Sequence, residues 1–280
     1  MAHGSVRASF QCMATASTQS TESAGADPHR IRDALLAVLA VAAGSVDALS
    51  WLALGKVFSA FMTGNIVFIA VGLSSHDSVL ALHAAIAVCA FGAGAWATAA
   101  VMPAEHPGTL WPARVTLGLL GCVLAQAVFW VVWVAVGGHP SSTLAPVLLG
   151  ISACAMGMQT ATAVALGVHA VFTTAATATW TVLMGDNVHW AGTRTERGRL
   201  ALVLGGTLLG ALAGALLLAH ARVWMPLLGA LLTGGVALAA HRSVEGALDP
   251  ARTALSAAPH PRTRAFGRSP GRSGAASHGG

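Results

Sequence analysis

Residues 34–68 read ALLAVLAVAAGSVDALSWLALGKVFSAFMTGNIVF. From Ala34 to Leu54 only Asp47 carries charge, and the run is long enough for a helix to cross a ~30 Å hydrocarbon core, which takes about 20 residues. Behind it come Gly55 and a shorter, more polar segment that carries Thr63-Gly64-Asn65. This polar element appears twice. ALGKVFSAFMT (53–63) returns as ALGVHAVFTTAAT (165–177), with Ala-Leu-Gly, Val-Phe and a Thr five places after that Phe at an offset of 112–114. Gln159 holds, before the second copy, the place that Asp47 holds before the first. A duplicated, Gly-broken, polar-lined element inside membrane helices is how many solute carriers build a site.

Composition agrees with a membrane-embedded chain. Hydrophobic residues make up 55% and charged residues 9%, against about 25% charged in soluble domains. The net charge of +5 comes mainly from Arg in the tails and in the loop 187–199. No basic face interleaved with aromatics is present, so nucleic acid is not an expected partner. Cys12, Cys89, Cys122 and Cys154 show no CxxC spacing, and the histidines show no HxxxH or HExxH spacing. Neither a metal nor another cofactor is expected.

The expected fold is all-α: a polytopic membrane helix bundle of six to eight hydrophobic segments, built from two weakly similar halves and flanked by disordered tails. Residues 1–29 and 243–280 are the tails, and 30–242 form the transmembrane domain, with halves at about 32–138 and 144–242. The apolar segments are roughly 32–54, 57–74, 79–102, 113–137, 144–166, 169–186, 200–219 and 222–241. The second and sixth are short and polar, and read either as short spans or as re-entrant half-helices. Arg30, Arg32, Arg194, Arg197, Arg199 and the Arg-rich C-terminal tail place both termini on the cytoplasmic side of a bacterial inner membrane. With all eight segments crossing, Arg114 faces out. With segments two and six re-entrant, six spans remain, Arg114 moves inside and the halves become an inverted pair.

Asp47 is the foremost candidate for chemistry. A carboxylate at bilayer depth costs roughly 2.5–3.5 kcal/mol on insertion scales, so it needs a partner or a wet cavity. It reads as a proton- or cation-coupling site, or as one half of a structural pair with Lys56. Gly64, between Thr63 and Asn65, lets the backbone leave helical geometry and expose groups that a ligand can use; the plainer reading is a packing notch with Asn65 bonded to a neighbouring helix. Gln159 offers an amide without charge, and Thr177 continues a hydroxyl-rich stretch. His169, within the second break, is the histidine to test. Gly206, Gly210 and Gly214 give overlapping GxxxG spacings that suit close packing within the chain or between copies of a homo-oligomer. The tryptophans lie mostly near segment ends and read as interface anchors.

Along AAGSVDALSWLALGKVFSAFMTGNIVF (42–68) and GMQTATAVALGVHAVFTTAATATWT (157–181) the chain resembles the YoaK-like family of uncharacterised bacterial inner-membrane proteins. Gly44, Asp47, Leu54-Gly55 and Met62-Thr63-Gly64-Asn65 carry the likeness, which spans 30–242 and excludes both tails. The second motif departs from the family pattern, with Thr160 in place of Asn and Ala178 in place of Gly. The resemblance implies an integral membrane protein with about six spans and no established substrate.

The functional expectation is a secondary transporter or permease-like protein for a small solute, coupled to protons or cations through Asp47. Thr63, Gly64, Asn65, Gln159 and Thr177 would line the cavity. The alternative is a non-transporting membrane scaffold or assembly protein. No nucleophile elbow, P-loop or metal-protease motif occurs, and an intramembrane enzyme would need an acid/base set that Asp47 alone does not make.

Overall fold

The computed structural model describes residues 28–102, 113–165 and 194–257. Among the described residues there are seven α-helices: α1 Pro28–Ala53, α2 Met62–Ser74, α3 Ser78–Val101, α4 Ala113–Ala135, α5 Ala145–Ala165, α6 Arg194–His220 and α7 Met225–Ala257. A single 3-10 turn, Arg222–Trp224, joins α6 to α7. There is no strand among the described residues. All but α2 contain a stretch long and apolar enough to cross a membrane, six in total. The chain divides into two compact units at Arg242–Ser243, and α7 is helical to Ala257, into the stretch read from sequence as an irregular tail.

Local chemistry sets the helix ends. Pro28 opens α1, where its missing N–H costs nothing and its φ suits the first turn. Asp77 caps α3, its carboxylate accepting the Leu80 amide at 3.0 Å. At the other end of α1, Gly55 takes φ +121° and lies so close to His83 that a Cβ would enter the imidazole ring. Only glycine satisfies both demands. Lys56 follows at φ 61°, which completes the break.

One core cluster reveals the directions of the spans. It gathers Leu54, Phe129, Trp133 and Leu218, near the C-terminal ends of α1, α4 and α6. With them sit Ala84, Leu148, Leu149 and Met225, near the N-terminal ends of α3, α5 and α7. The six long helices therefore alternate in direction, and α1 runs antiparallel to α3. That leaves no crossing for α2, whose 13 residues span only ~20 Å. Segment 54–61 instead doubles back. Gly55 lies against His83, whereas Ala60 packs with Phe91 on the deeper cluster of Val46, Cys122, Ala155 and Met156. Helix α2 then climbs back, and Gly72 meets Ala81 at the turn into α3. Of the two sequence readings of the second segment, the re-entrant one describes this geometry; the sixth segment, 169–186, lies outside the described residues.

Glycines mark the closest helix crossings. Cβ atoms at Gly44 and Gly210 would collide with the backbone of Thr207 and Val41, so α1 and α6 are in backbone contact. Cβ atoms at Gly94 and Gly157 would collide likewise with Cys154 and Phe91, joining α3 to α5. In lipid no hydrophobic force draws helices together, and such close approach supplies dispersion contacts in its place. The GxxxG face of Gly206, Gly210 and Gly214 is consumed here against Ala37, Val41 and Ser45 of α1. Of the two sequence readings of that face, packing within the chain or between copies, these contacts are those of the first. Outward on α6, Leu208, Leu209, Leu212 and Leu216 are all more than half exposed, the apolar surface a bilayer covers.

Candidate functional site

The re-entrant segment brings Asp47 a partner that sequence did not indicate. Its Oδ1 accepts the backbone amides of Ser59 at 2.8 Å and Ala60 at 2.7 Å. Successive N–H groups just ahead of a helix N-terminus form an anion-binding concavity, and in this protein the anion is the chain's own side chain. Lys56, the partner considered from sequence, turns away and places its ammonium 5.7 Å from the centre of the Trp51 ring. Among the described residues no Lys or Arg forms an ion pair with Asp47.

Asn65 holds the segment in shape. Its Oδ1 accepts the Phe58 amide at 2.9 Å and its Nδ2 donates to the Phe58 carbonyl at 2.6 Å, which imitates a strand pairing with a single backbone residue. The segment leaves helical geometry at bilayer depth, where unpaired backbone groups are costly, so this clip is what makes the excursion tolerable. A hydroxyl chain ties the opposite side: Ser50 bonds Ser59, and Ser59 donates to Ser152 of α5 at 2.9 Å. All three serines are buried.

Aromatic rings cover the remaining face. Trp51 stacks on Phe58 with centroids 5.2 Å apart and meets Phe68 at 5.7 Å; Phe61 stands edge-on to Phe58 at 5.4 Å. Trp51 is thus part of this cluster rather than a lone interface anchor, and Trp133 is fully buried, whereas Trp96 and Trp224 stay exposed as anchors would. Asp47, Trp51, Phe58, Phe61 and Phe68 each keep some accessible surface.

The other sequence candidates divide. Gly64 lies beneath Phe61 and Phe58, and any side chain there would displace those rings. Thr63 is exposed on the outer side of α2 and lines nothing inward. Gln159 stands apart from Asp47: it donates to the Leu39 carbonyl at 3.1 Å and accepts from Thr233 at 3.3 Å, stitching α5 to α1 and α7. Thr177 and His169 lie outside the described residues. Sequence reasoning missed Ser59, Ser152 and the paired Phe58 backbone, since hydroxyls and amides in a short irregular stretch leave no periodic trace. Gln126 was also missed; it is buried on α4, and Oε1 has no partner among the described residues. Among the described residues no three His, Cys, Asp or Glu side chains gather to hold a metal.

Fold and site together define a polytopic α-helical membrane protein with a polar re-entrant segment. The chain belongs to the family described as Protein of unknown function (DUF1275), whose model matches residues 35–239. It is 31% identical, over 155 residues, to the UPF0700 transmembrane protein YoaK of Bacillus subtilis (strain 168), an overlap of 55% of this chain and 67% of that relative. No solved structure matches it.

Proposed function

We propose that this protein is a secondary carrier for a small solute, with its site where Asp47 meets segment 54–61 and with Asp47 coupling transport to protons or cations. One observation carries the reading: an intramembrane carboxylate is held by amides of a broken, re-entrant segment and, among the described residues, by no cation. Discontinuous elements of this kind place binding groups near the bilayer midplane in secondary transporters, and an ionisable residue in a span is by default functional. The amides and rings around Asp47 suit binding rather than group transfer, which favours a carrier over an enzyme.

The glycine crossings support duplication. Gly44 and Gly157 stand 113 positions apart, within the offset of the repeat, and each meets a helix of the other half. The halves are unequal, however, since Gln159 is consumed by Leu39 and Thr233 whereas Asp47 is only half-buried and bonded by backbone amides. The alternating spans put Arg114 on the same side as the start of α1, and by the positive-inside rule that side is the cytoplasm of an inner-membrane protein.

The test uses Ala60→Cys in a background without Cys12, Cys89, Cys122 and Cys154, reconstituted in proteoliposomes. A membrane-impermeant thiol reagent should reach position 60 from one face, at a rate that an imposed pH gradient changes, and Asp47→Asn should abolish that change. A position sealed from both faces would refute the carrier. The second reading, a non-transporting scaffold, is favoured by the bonding of Asn65 and Gln159 to groups within the chain. It expects the sealed outcome, with Asp47→Asn lowering only thermal stability.

A further inference from the structure

We infer that the face of Trp51, one helical turn from Asp47, takes an organic cation, an ammonium with a small apolar body, and that Lys56 is a tethered occupant of that face which such a ligand displaces. The inference rests on the carrier reading and names its ligand class. Two independent features of the site converge on it. The first is a carboxylate without a cationic partner among the described residues: Asp47 accepts from the neutral amides of Ser59 and Ala60, which spread its charge, when ionised, but do not neutralise it. A carboxylate so placed attracts cations into a low-dielectric surrounding where the attraction is strong.

The second is the aromatic box. Asp47 and Trp51 stand one helical turn apart on the same face of α1, and Trp51 is backed by Phe58 and Phe68. Of the ring systems, Trp has the face that binds cations best, and aromatic cages are the recurrent device for ammonium recognition. The protein already makes this contact with itself, through the Lys56 ammonium over Trp51. Lys56 is exposed, on a flexible stem, and rooted in the left-handed turn next to Gly55. No partner other than the ring fixes its position among the described residues. A soluble ammonium can therefore take its place over the ring with no core side chain moving. The box fits an anionic solute poorly, since the amides that would bind an anion are already occupied by Asp47.

Equilibrium dialysis of the purified full-length protein in maltoside micelles, with radiolabelled choline as probe, tests this. Choline should bind saturably, and 3,3-dimethylbutan-1-ol, its neutral carbon isostere, should not compete. Trp51→Ala should weaken binding by about 10- to 30-fold and Trp51→Phe by less. Asp47→Asn should weaken it several-fold, and Lys56→Ala should tighten it roughly 2- to 5-fold by removing the tethered competitor. Trp51→Phe keeps a stacked ring and guards against misfolding as the cause of loss. Absence of saturable binding, equal competition by the neutral isostere, or weaker binding in Lys56→Ala would each overturn the inference. Binding in micelles requires no transport. Failure here with position 60 accessible sinks the ligand class alone, while a sealed position 60 sinks the carrier reading.

Discussion

Replacing Asn65 by Ala removes both partners of the Phe58 backbone, an amide bonded at 2.9 Å and a carbonyl bonded at 2.6 Å. Two estimates bracket the cost. Side-chain hydrogen bonds within membranes average about 0.6 kcal/mol, so two give a floor near 1.2 kcal/mol. A buried backbone group left unsatisfied costs about 1–3 kcal/mol, so two give up to roughly 6. Asn65 is fully buried and segment 54–61 has no helical neighbour to re-pair Phe58, which favours the middle of that range, about 3 kcal/mol. For a body of this size that corresponds to a fall in Tm of roughly 6–12 °C. The assay is size-exclusion chromatography of heated detergent samples, run beside Asn65→Asp. Aspartate retains the acceptor for the Phe58 amide but sets an oxygen against the Phe58 carbonyl, so it should be at least as damaging as alanine despite its near-identical shape. A Tm for Asn65→Ala within 2 °C of wild type, or Asn65→Asp tolerated better than Asn65→Ala, would show that the clip does not hold the segment.

Three further outcomes follow from the packing. Gly210→Leu should separate α1 from α6 and destroy the monodisperse protein, because the added Cβ meets the Val41 backbone, whereas Gly235→Ala, which meets nothing within 4 Å, should be neutral or raise stability by up to about 1 kcal/mol through helix propensity; thermal melts of the pair check this. A double-mutant cycle of Gln159→Leu with Thr233→Val should give a coupling of about 0.6 kcal/mol and no more than about 1.7, measured by thermal stability in detergent. Trp133→Phe keeps a ring beside Phe129 but loses the 2.9 Å bond to the Arg222 carbonyl, and a stability loss of about 1 kcal/mol in the same assay is expected.

Much of the fold is legible in local pattern. Long apolar runs, sparse charge and the Gly55 break suffice for a helical membrane bundle with one interrupted element, because hydropathy and turn chemistry act over one helix length. The candidate site was legible only in part. Asp47 stood out since an intramembrane carboxylate is expensive wherever it lies, but its amide partners come from residues with no side-chain signature at all. Asn65 was visible as a polar residue beside Gly64, yet its role as a backbone clip depends on the segment folding back on itself. Thr63 looked equivalent to it, and the phase of α2 turned it outward.

The sequence by itself determined that this is a membrane helix bundle carrying a polar, glycine-broken element, since a chain this apolar must satisfy its backbone within helices and can leave them only where small or polar residues allow. Tertiary structure alone decided that α2 climbs back to the side it came from, that the Gly206–Gly214 face belongs to α1, that Gln159 is a stitch between helices, and that Lys56 covers Trp51 instead of Asp47. The physical reason is reach. Propensity and hydropathy are set by neighbours within a turn or two, whereas the bonds of Asp47 and Gln159 join residues from 12 to 120 positions apart, and only the crossing of the helices brings those groups within 3.5 Å.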